Sequence, residues 1–165
     1  MNNILIEPLG PPPFRFIPAA GRTVNGPAFS TVFKLLATCV VFGVAGWFVL
    51  LELSGKVSGG TVSIRSWFLA ALAMMLYTWW CVVRSETRLD GQQLQQTWIW
   101  DKKIELRELA YGKLVRVRGF DWLIAPRLYV RTLTGKFALF YAADPRLIAE
   151  FERLIAELKT FRAAR

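Results

Sequence analysis

The stretch LLATCVVFGVAGWFVLL at residues 35–51, between Lys34 and Glu52, has no charged side chain and decides the fold class. An α-helix rises about 1.5 Å per residue, so this stretch alone covers about 25 Å of the roughly 30 Å hydrocarbon core of a bilayer. A helix in the core of a soluble protein shows a polar stripe, and this stretch has none. With its apolar flanks, it predicts a membrane-spanning helix over residues 28–53.

A second charge-free stretch, SWFLAALAMMLYTWWCVV, lies at residues 66–83 between Arg65 and Arg84. It predicts a second spanning helix over residues 64–84. A short segment rich in Gly and Ser separates the two stretches, and this composition is typical of a tight turn. We therefore expect residues 28–84 to form an antiparallel transmembrane hairpin.

The distribution of Lys and Arg predicts the orientation of this hairpin. The segment after Arg84 contains 15 of these residues, whereas the turn and its boundary carry only Lys56 and Arg65. Cytoplasmic segments of membrane proteins are enriched in Lys and Arg. We therefore expect both termini to lie in the cytoplasm and the turn to lie on the opposite side. The net charge of +9 follows in part from this rule, and it also suits anionic lipid or an acidic partner.

Residues 1–27 are expected to form an irregular, Pro-rich tail, because proline interrupts regular structure. The prolines are Pro8, Pro11, Pro12, Pro13, Pro18 and Pro27. Apolar residues such as Leu9, Phe14 and Phe16 lie between them. Two interpretations follow: an arm that docks on a partner subunit, or a tail that lies loosely against its own domain or the membrane surface.

Residues 85–165 are predicted to form one small α+β domain. Period-two alternation and turn residues predict about six antiparallel strands. The predicted strands cover residues 85–89, 92–100, 104–109, 111–118, 127–134 and 137–141. Asp90-Gly91 and Thr134-Gly135-Lys136 have the residue types of tight hairpin turns.

A final helix is predicted from Asp144 onward. Asp144 has the residue type of an N-cap, and Pro145 suits the first helical position. Apolar residues recur at helical spacing and form one stripe. They are Leu147, Ile148, Phe151, Leu154, Ile155 and Leu158. Because an isolated helix of this length is marginally stable, we expect the stripe to pack across the sheet.

This order of elements resembles the bacterial pleckstrin-homology-like (PH-like) domains that are attached to membrane hairpins. The resemblance covers roughly residues 28–162 and starts with two apolar helices immediately before the domain. Its other features are TRLDGQQL at 87–94, KIELREL at 103–109, LTGK at 133–136 and Asp144-Pro145. It implies a PH-like antiparallel sheet or barrel closed by the C-terminal amphipathic helix, in a non-enzymatic anchoring domain of a bacterial inner-membrane protein. It transfers no binding residue.

The residue types that most enzymes need are scarce in this sequence. The chain has no His, which is the commonest general base and metal ligand. Its two cysteines, Cys39 and Cys81, lie within the apolar stretches and are interpreted as packing residues. The sequence contains no phosphate-binding loop and no nucleophile with an adjacent base. We therefore predict no enzyme activity, no metal and no cofactor.

Basic residues on two predicted strands form a candidate contact site. They are Lys113, Arg116, Arg118, Arg127 and Arg131. One loop joins the two strands, so we expect them to pair and to gather several positive charges. Anionic head groups would gain about 1 kcal/mol per charge near a membrane surface. Strand alternation predicts that Arg116 and Arg118 share a face that Lys113 does not. The alternative interpretation is an ordinary solvated sheet face.

The loop at residues 119–126 is a second candidate, because it is unusually apolar. Its bulky residues are Phe120, Trp122, Leu123 and Ile124. Exposed apolar patches often mark contacts, so the loop could enter the bilayer interface or a partner protein. In the alternative interpretation it folds back and caps the core of its own domain.

Two functions fit these features. The first is a non-enzymatic accessory or scaffold subunit of a larger inner-membrane complex, with membrane lipids and other integral membrane subunits as its partners. The alternative is a membrane-surface module whose basic strands bind anionic lipid head groups. Nucleic acid is not an expected partner. Residues 85–165 interleave 15 basic with 10 acidic residues and contain no nucleic-acid-binding motif.

Overall fold

The computed structural model consists of a two-helix hairpin and an α+β domain. It describes residues 14–19, 21, 23–55, 62–117, 119–120 and 122–164. The elements are β1 (Thr23–Pro27), α1 (Thr31–Leu53), α2 (Val62–Arg84), β2 (Glu86–Asp90), β3 (Gln93–Gln96), β4 (Lys102–Glu105), a 3-10 turn (Leu106–Glu108), β5 (Leu109–Val115), β6 (Arg127–Thr132), β7 (Phe137–Tyr141) and α3 (Pro145–Ala163).

The helices α1 and α2 are antiparallel and contact each other from one end to the other. At the end next to the domain, Lys34 Nζ donates to the carbonyl of Val83 at 2.9 Å. At the far end, Glu52 pairs with Arg65 at 3.4 Å. The ring contacts between these ends are Phe42 with Trp79 and Phe48 with Phe68. The predicted hairpin is therefore present, with its helices beginning at Thr31 and Val62.

Both helices have the length and apolar character of membrane spans. Mean hydropathy is 2.1 over Thr31–Leu53 and 1.6 over Arg65–Arg84. Only 6% of each apolar window is buried by the described part of the chain. A core helix of a soluble protein is mostly buried, so these two surfaces require another covering, such as lipid or a second protein.

The α+β domain contains two antiparallel sheets. One has the strand order β1-β2-β3-β4 and the other has the order β5-β6-β7. The predicted hairpin turns at Asp90-Gly91 and around Gly135 join β2 to β3 and β6 to β7. The terminal helix α3 is confirmed with its cap, because Asp144 Oδ1 accepts the Arg146 N–H at 2.8 Å.

The hairpin is inserted between the first two strands of the domain. β1 precedes α1, and the single residue Ser85 separates α2 from β2. All five residues of β1 pair with β2. The Ala28 N–H also donates to the Ser85 carbonyl at 3.1 Å, where the chain passes into and out of the helices. The predicted order of tail, hairpin and then domain is therefore corrected: residues on both sides of the hairpin build one domain at one of its ends.

The expected irregular tail at residues 1–27 is corrected at its C-terminal end, where Thr23–Pro27 forms β1. A proline cannot donate in a sheet ladder, and for that reason Pro27 argues against a strand in the sequence. β1 is an edge strand, however, and an edge position tolerates the missing N–H. Residues 1–13 lie outside the described part of the chain.

The segment before β1 contributes to the core of the domain. Phe14 and Phe16 are only 5% and 1% exposed. The ring of Phe14 lies 5.4 Å from that of Phe161 on α3. The Ala19 N–H donates to the buried carboxylate of Glu150 at 3.1 Å. Of the two interpretations of the tail, residues 14–19 therefore follow the one in which the segment lies against its own domain.

Four predicted strands are shorter in the structure. Those over residues 111–118 and 127–134 end at Val115 and Thr132, and the other two differ more from their predictions. The strand predicted over residues 92–100 ends at Gln96. The Thr97 N–H still donates to the Glu86 carbonyl at 2.9 Å, next to the Thr87–Gln96 pair, but residues 98–100 turn away into the loop before β4. The strand predicted over residues 104–109 is β4 followed by the 3-10 turn. The apolar alternation that continues to Trp100 therefore belongs to a loop.

The core lies between the two sheets and α3. The helix buries Leu147, Phe151, Leu154 and Leu158. The residues they join are Phe14, Phe16, Val24, Leu89, Leu94, Leu106, Leu109, Leu128, Val130, Phe140 and Ala142. Each large apolar side chain contributes about 1.5–3 kcal/mol when fully buried, so this cluster is the main stabilising contribution to the domain.

A substitution at Gly26 tests the junction between β1 and α3. A Cβ added there would lie 2.8 Å from the Cβ of Asp144, the N-cap of α3. We expect Gly26→Ala to destabilise the protein by about 1–3 kcal/mol through this overpacking. Gly112→Ala in β5 is the control, because its nearest contact would be 3.4 Å from Ile155. Thermal unfolding of the two variants measures the difference, and equal melting temperatures would contradict the β1–α3 contact.

Candidate functional site

The outward side of the β5-β6-β7 sheet forms a regular surface of nine side chains, here called the basic-aromatic face. Side chains of paired residues lie on the same side of a sheet, and this side alternates along each strand. The register therefore places the nine residues in three rows. These are Tyr111–Arg131–Phe137, Lys113–Tyr129–Leu139 and Val115–Arg127–Tyr141. The other side of the sheet is buried on the core.

The basic-aromatic face is partly apolar and clearly exposed. Phe137 is 60% exposed and Tyr111 is 47% exposed. The face also contains Val115 and Leu139, which are exposed as well. Single exposed apolar side chains are common on protein surfaces, but a contiguous exposed apolar patch often marks a contact site.

The cations of this face lie over its aromatic rings. The Arg131 guanidinium is 5.2 Å from the ring centre of Phe137, and that of Arg127 is 5.4 Å from the ring centre of Tyr141. The rings of Tyr129 and Phe137 stack at 5.8 Å. Among its nine residues the face has three basic side chains and no acidic one. The aromatic rings hold the arginines in a defined arrangement, and their charge is not neutralised within the face.

The five predicted basic residues divide into three groups. The predicted pairing of their strands is confirmed, and Lys113, Arg127 and Arg131 share the basic-aromatic face. Arg116 follows β5 and pairs with Glu152 of α3 at 2.5 Å, so it is partly neutralised. Arg118 lies outside the described residues.

The apolar loop between β5 and β6 lies next to the beginning of α1. Ser30, the N-cap of α1, donates its hydroxyl to the Leu123 carbonyl at 2.9 Å. Phe120 and Trp122 are 51% and 59% exposed, whereas Leu123 and Ile124 are half-buried. Phe120 and Trp122 are therefore the more accessible side chains of this loop, and Leu123 and Ile124 are only partly accessible.

A second aromatic loop, at residues 97–101, was not among the candidate sites. It joins β3 to β4 and carries Trp98, which is half-buried, and Trp100, which is 78% exposed. Alternating apolar residues make this loop resemble the end of a strand, so the sequence alone conceals it. The signal that could reveal it is Asp101-Lys102-Lys103, because a turn there leaves the preceding tryptophans at a strand end.

In the described part of the chain, no group of three or more His, Cys, Asp or Glu side chains is arranged to hold a metal ion. Cys39 and Cys81 are free thiols on the two hairpin helices. Comparisons with protein-family models, with curated proteins and with solved structures find no match to this chain.

Proposed function

We propose that this protein is a non-enzymatic accessory or scaffold subunit of a larger inner-membrane complex. The hairpin anchors it, and a cytoplasmic domain presents the basic-aromatic face to another subunit. That face is the observation that carries the proposal. Protein interfaces are enriched in Tyr, Phe and Arg, and their energetic hot spots are enriched in Tyr and Arg. The absence of acidic residues from the face favours a partner with an acidic surface.

The hairpin supports the same proposal through its outward side. Gly43 and Gly46 of α1 have no atom within 4 Å of an added Cβ, so they are not needed for close contact between α1 and α2. Small residues on the outward side of a membrane helix allow another helix to approach closely. Another integral membrane subunit could therefore contact both the hairpin and the domain.

The domain is also proposed to be PH-like. Four strands in one sheet, three in the other and one C-terminal helix across them support this assignment. We also propose that the two sheets close into a barrel. The hairpin departs from the expected pattern, because it follows β1 instead of preceding the whole domain. The cytoplasmic location of the domain rests on the enrichment of Lys and Arg in its segments.

Substitution of Arg131 tests this proposal on the tagged full-length chain. After extraction in mild detergent, we expect mass spectrometry to find a stoichiometric set of membrane subunits. Arg131→Glu should lower their recovery about tenfold or more, as expected for an interface hot spot. Arg88→Glu is the control, because it makes the same charge change on an exposed residue of β2, in the other sheet. Equal recovery with both variants would contradict the role of the face, and purification as a lone monomer would contradict the accessory function.

The alternative function is a surface module for anionic lipid head groups. Arg127 favours it, because this residue lies over Tyr141, and Tyr141 contacts Phe29 at the beginning of α1. This module would bind anionic vesicles in a salt-sensitive way, because screening weakens exposed charges. Loss of that binding in Arg127→Glu, together with an unchanged set of co-purified subunits in Arg131→Glu, would favour the alternative over the accessory function.

A further inference from the structure

Two aromatic loops lie at the end of the domain that adjoins the hairpin, and they are here called the juxtamembrane loops. One is the 97–101 loop, and the other consists of residues 119–120 and 122–125. Each presents an exposed tryptophan, Trp100 at 78% and Trp122 at 59% exposure. Neither tryptophan belongs to the basic-aromatic face.

Each juxtamembrane loop is bound to one end of the hairpin. Ser30, immediately before α1, donates its hydroxyl to the carbonyl of Leu123 at 2.9 Å. Ser85, immediately after α2, donates its hydroxyl to the carbonyl of Thr97 at 2.6 Å. These two serines mark the level at which the helices meet the domain. The loops are therefore held at the depth where a spanning hairpin would leave the membrane.

An aromatic cluster strengthens this attachment on one side of the hairpin. The ring of Phe29 lies 5.4 Å from that of Phe33 in the first turn of α1 and 6.1 Å from that of Trp98. Lys102 Nζ lies 5.5 Å from the Trp98 ring centre. The first turn of α1, the 97–101 loop and a neighbouring cation therefore form one connected layer.

Side chains at this level are of the types that suit a bilayer interface. Arg84 lies 4.7 Å over the ring of Trp80 in the last turns of α2, and Lys34 lies in the first turn of α1. Two acidic residues lie at this level in the described part of the chain: Glu86, the first residue of β2, and Asp101, the last residue of the 97–101 loop. Tryptophan and tyrosine prefer the head-group level, because their rings are apolar at one end and hydrogen-bonding at the other.

We propose that both juxtamembrane loops insert into the head-group region of the membrane that the hairpin spans. The surface formed by the two loops thus contacts the lipid head groups, mainly through Trp100 and Trp122. The inference rests on the membrane anchoring in the proposed function, but it does not depend on a protein partner. Insertion of both loops holds the domain against the membrane in one orientation. The basic-aromatic face is then presented to a neighbouring subunit in a defined direction.

Spin labels on the full-length chain in anionic phospholipid nanodiscs test this inference. Single cysteines replace Trp100, Trp122 or Phe137 in a chain in which both native cysteines are changed to Ala. Phe137 is the matched control, because it is 60% exposed and lies in the row of the face farthest from the hairpin. We expect a several-fold higher ratio of oxygen to nickel-complex accessibility at positions 100 and 122 than at position 137. All three replaced side chains are exposed, so the fold should tolerate the labels.

The outcomes separate this inference from the membrane anchoring itself. Labels at positions 100 and 122 that are as accessible to the nickel complex as the label at 137 would overturn loop insertion. Labels protected from both oxygen and nickel would also overturn it, because they would be buried in protein. In a separate chain in which only Cys81 is changed to Ala, a label on Cys39, which is exposed on α1, reports on the hairpin alone. Lipid exposure at position 39 with aqueous loops would leave the anchoring intact, whereas an aqueous label at 39 would overturn the anchoring.

Discussion

Residues 85–165 expressed alone are expected to lack a cooperative unfolding transition. This shortened chain loses β1, which covers the edge of β2, together with the core side chains Phe14 and Phe16. Removing one buried Phe side chain costs about 3–5 kcal/mol. The loss of two such side chains approaches the whole stability of a small domain, which is about 5–15 kcal/mol. Circular dichroism during heating measures the outcome.

A matched chain that joins residues 14–28 to residues 85–165 through a short flexible linker is expected to unfold cooperatively. A short linker suffices, because the Ala28 N–H and the Ser85 carbonyl are only 3.1 Å apart. Such a chain replaces the hairpin and keeps both parts of the domain. If residues 85–165 alone melted at the same temperature as the joined chain, the discontinuous domain would be refuted.

Phe16→Ala is expected to destabilise the full-length protein by about 3–5 kcal/mol, because it leaves a cavity in the core. Phe16 is 1% exposed and lies beneath the guanidinium of Arg153 at 5.5 Å. For a domain of this size, such a loss lowers the melting temperature by roughly 10 °C or more. Tryptophan fluorescence of the detergent-solubilised chain during heating provides the measurement.

Its neighbour Ile17 is the control, because this side chain is 79% exposed. Ile17→Ala should change stability by no more than about 0.5 kcal/mol, as surface substitutions usually do. The pair compares two adjacent apolar residues that look equivalent in the sequence. A similar melting temperature for both variants would show that residues 14–19 do not pack on the domain.

Local sequence patterns predicted the elements whose residues interact mainly with near neighbours. The two charge-free stretches predicted α1 and α2, and Asp144-Pro145 with its apolar stripe predicted α3. The strand at residues 137–141 was predicted with the bounds that β7 has. In each case the periodicity or the cap lies within the element itself, so no distant partner is needed to recognise it.

The candidate site was predicted only in part. The pairing of the strands that carry Lys113, Arg127 and Arg131 followed from their single connecting loop. The separation of Arg116 from the other basic residues could not be predicted in this way, because Arg116 forms an ion pair with Glu152 on a helix that is distant in sequence. Two of the four aromatic residues of the face, Phe137 and Tyr141, come from β7, and their place beside β6 depends on the register of a hairpin. The contacts of Phe29 with Trp98 and Tyr141 likewise depend on residues that are far along the chain.

The amino-acid sequence by itself determined that this protein has an apolar helical hairpin and a basic α+β domain ending in an amphipathic helix. These features follow from composition, periodicity and capping, which act over a few residues. Only the tertiary structure decided that β1 completes the sheet across the hairpin and that Phe14 and Phe16 belong to the core. It also decided that the loops carrying Trp100 and Trp122 are hydrogen-bonded to the residues that flank the hairpin. These features depend on contacts between residues that are distant in the chain. A loop, an edge strand or a single packed ring leaves no periodic pattern in its own residues, so the sequence alone does not predict such contacts.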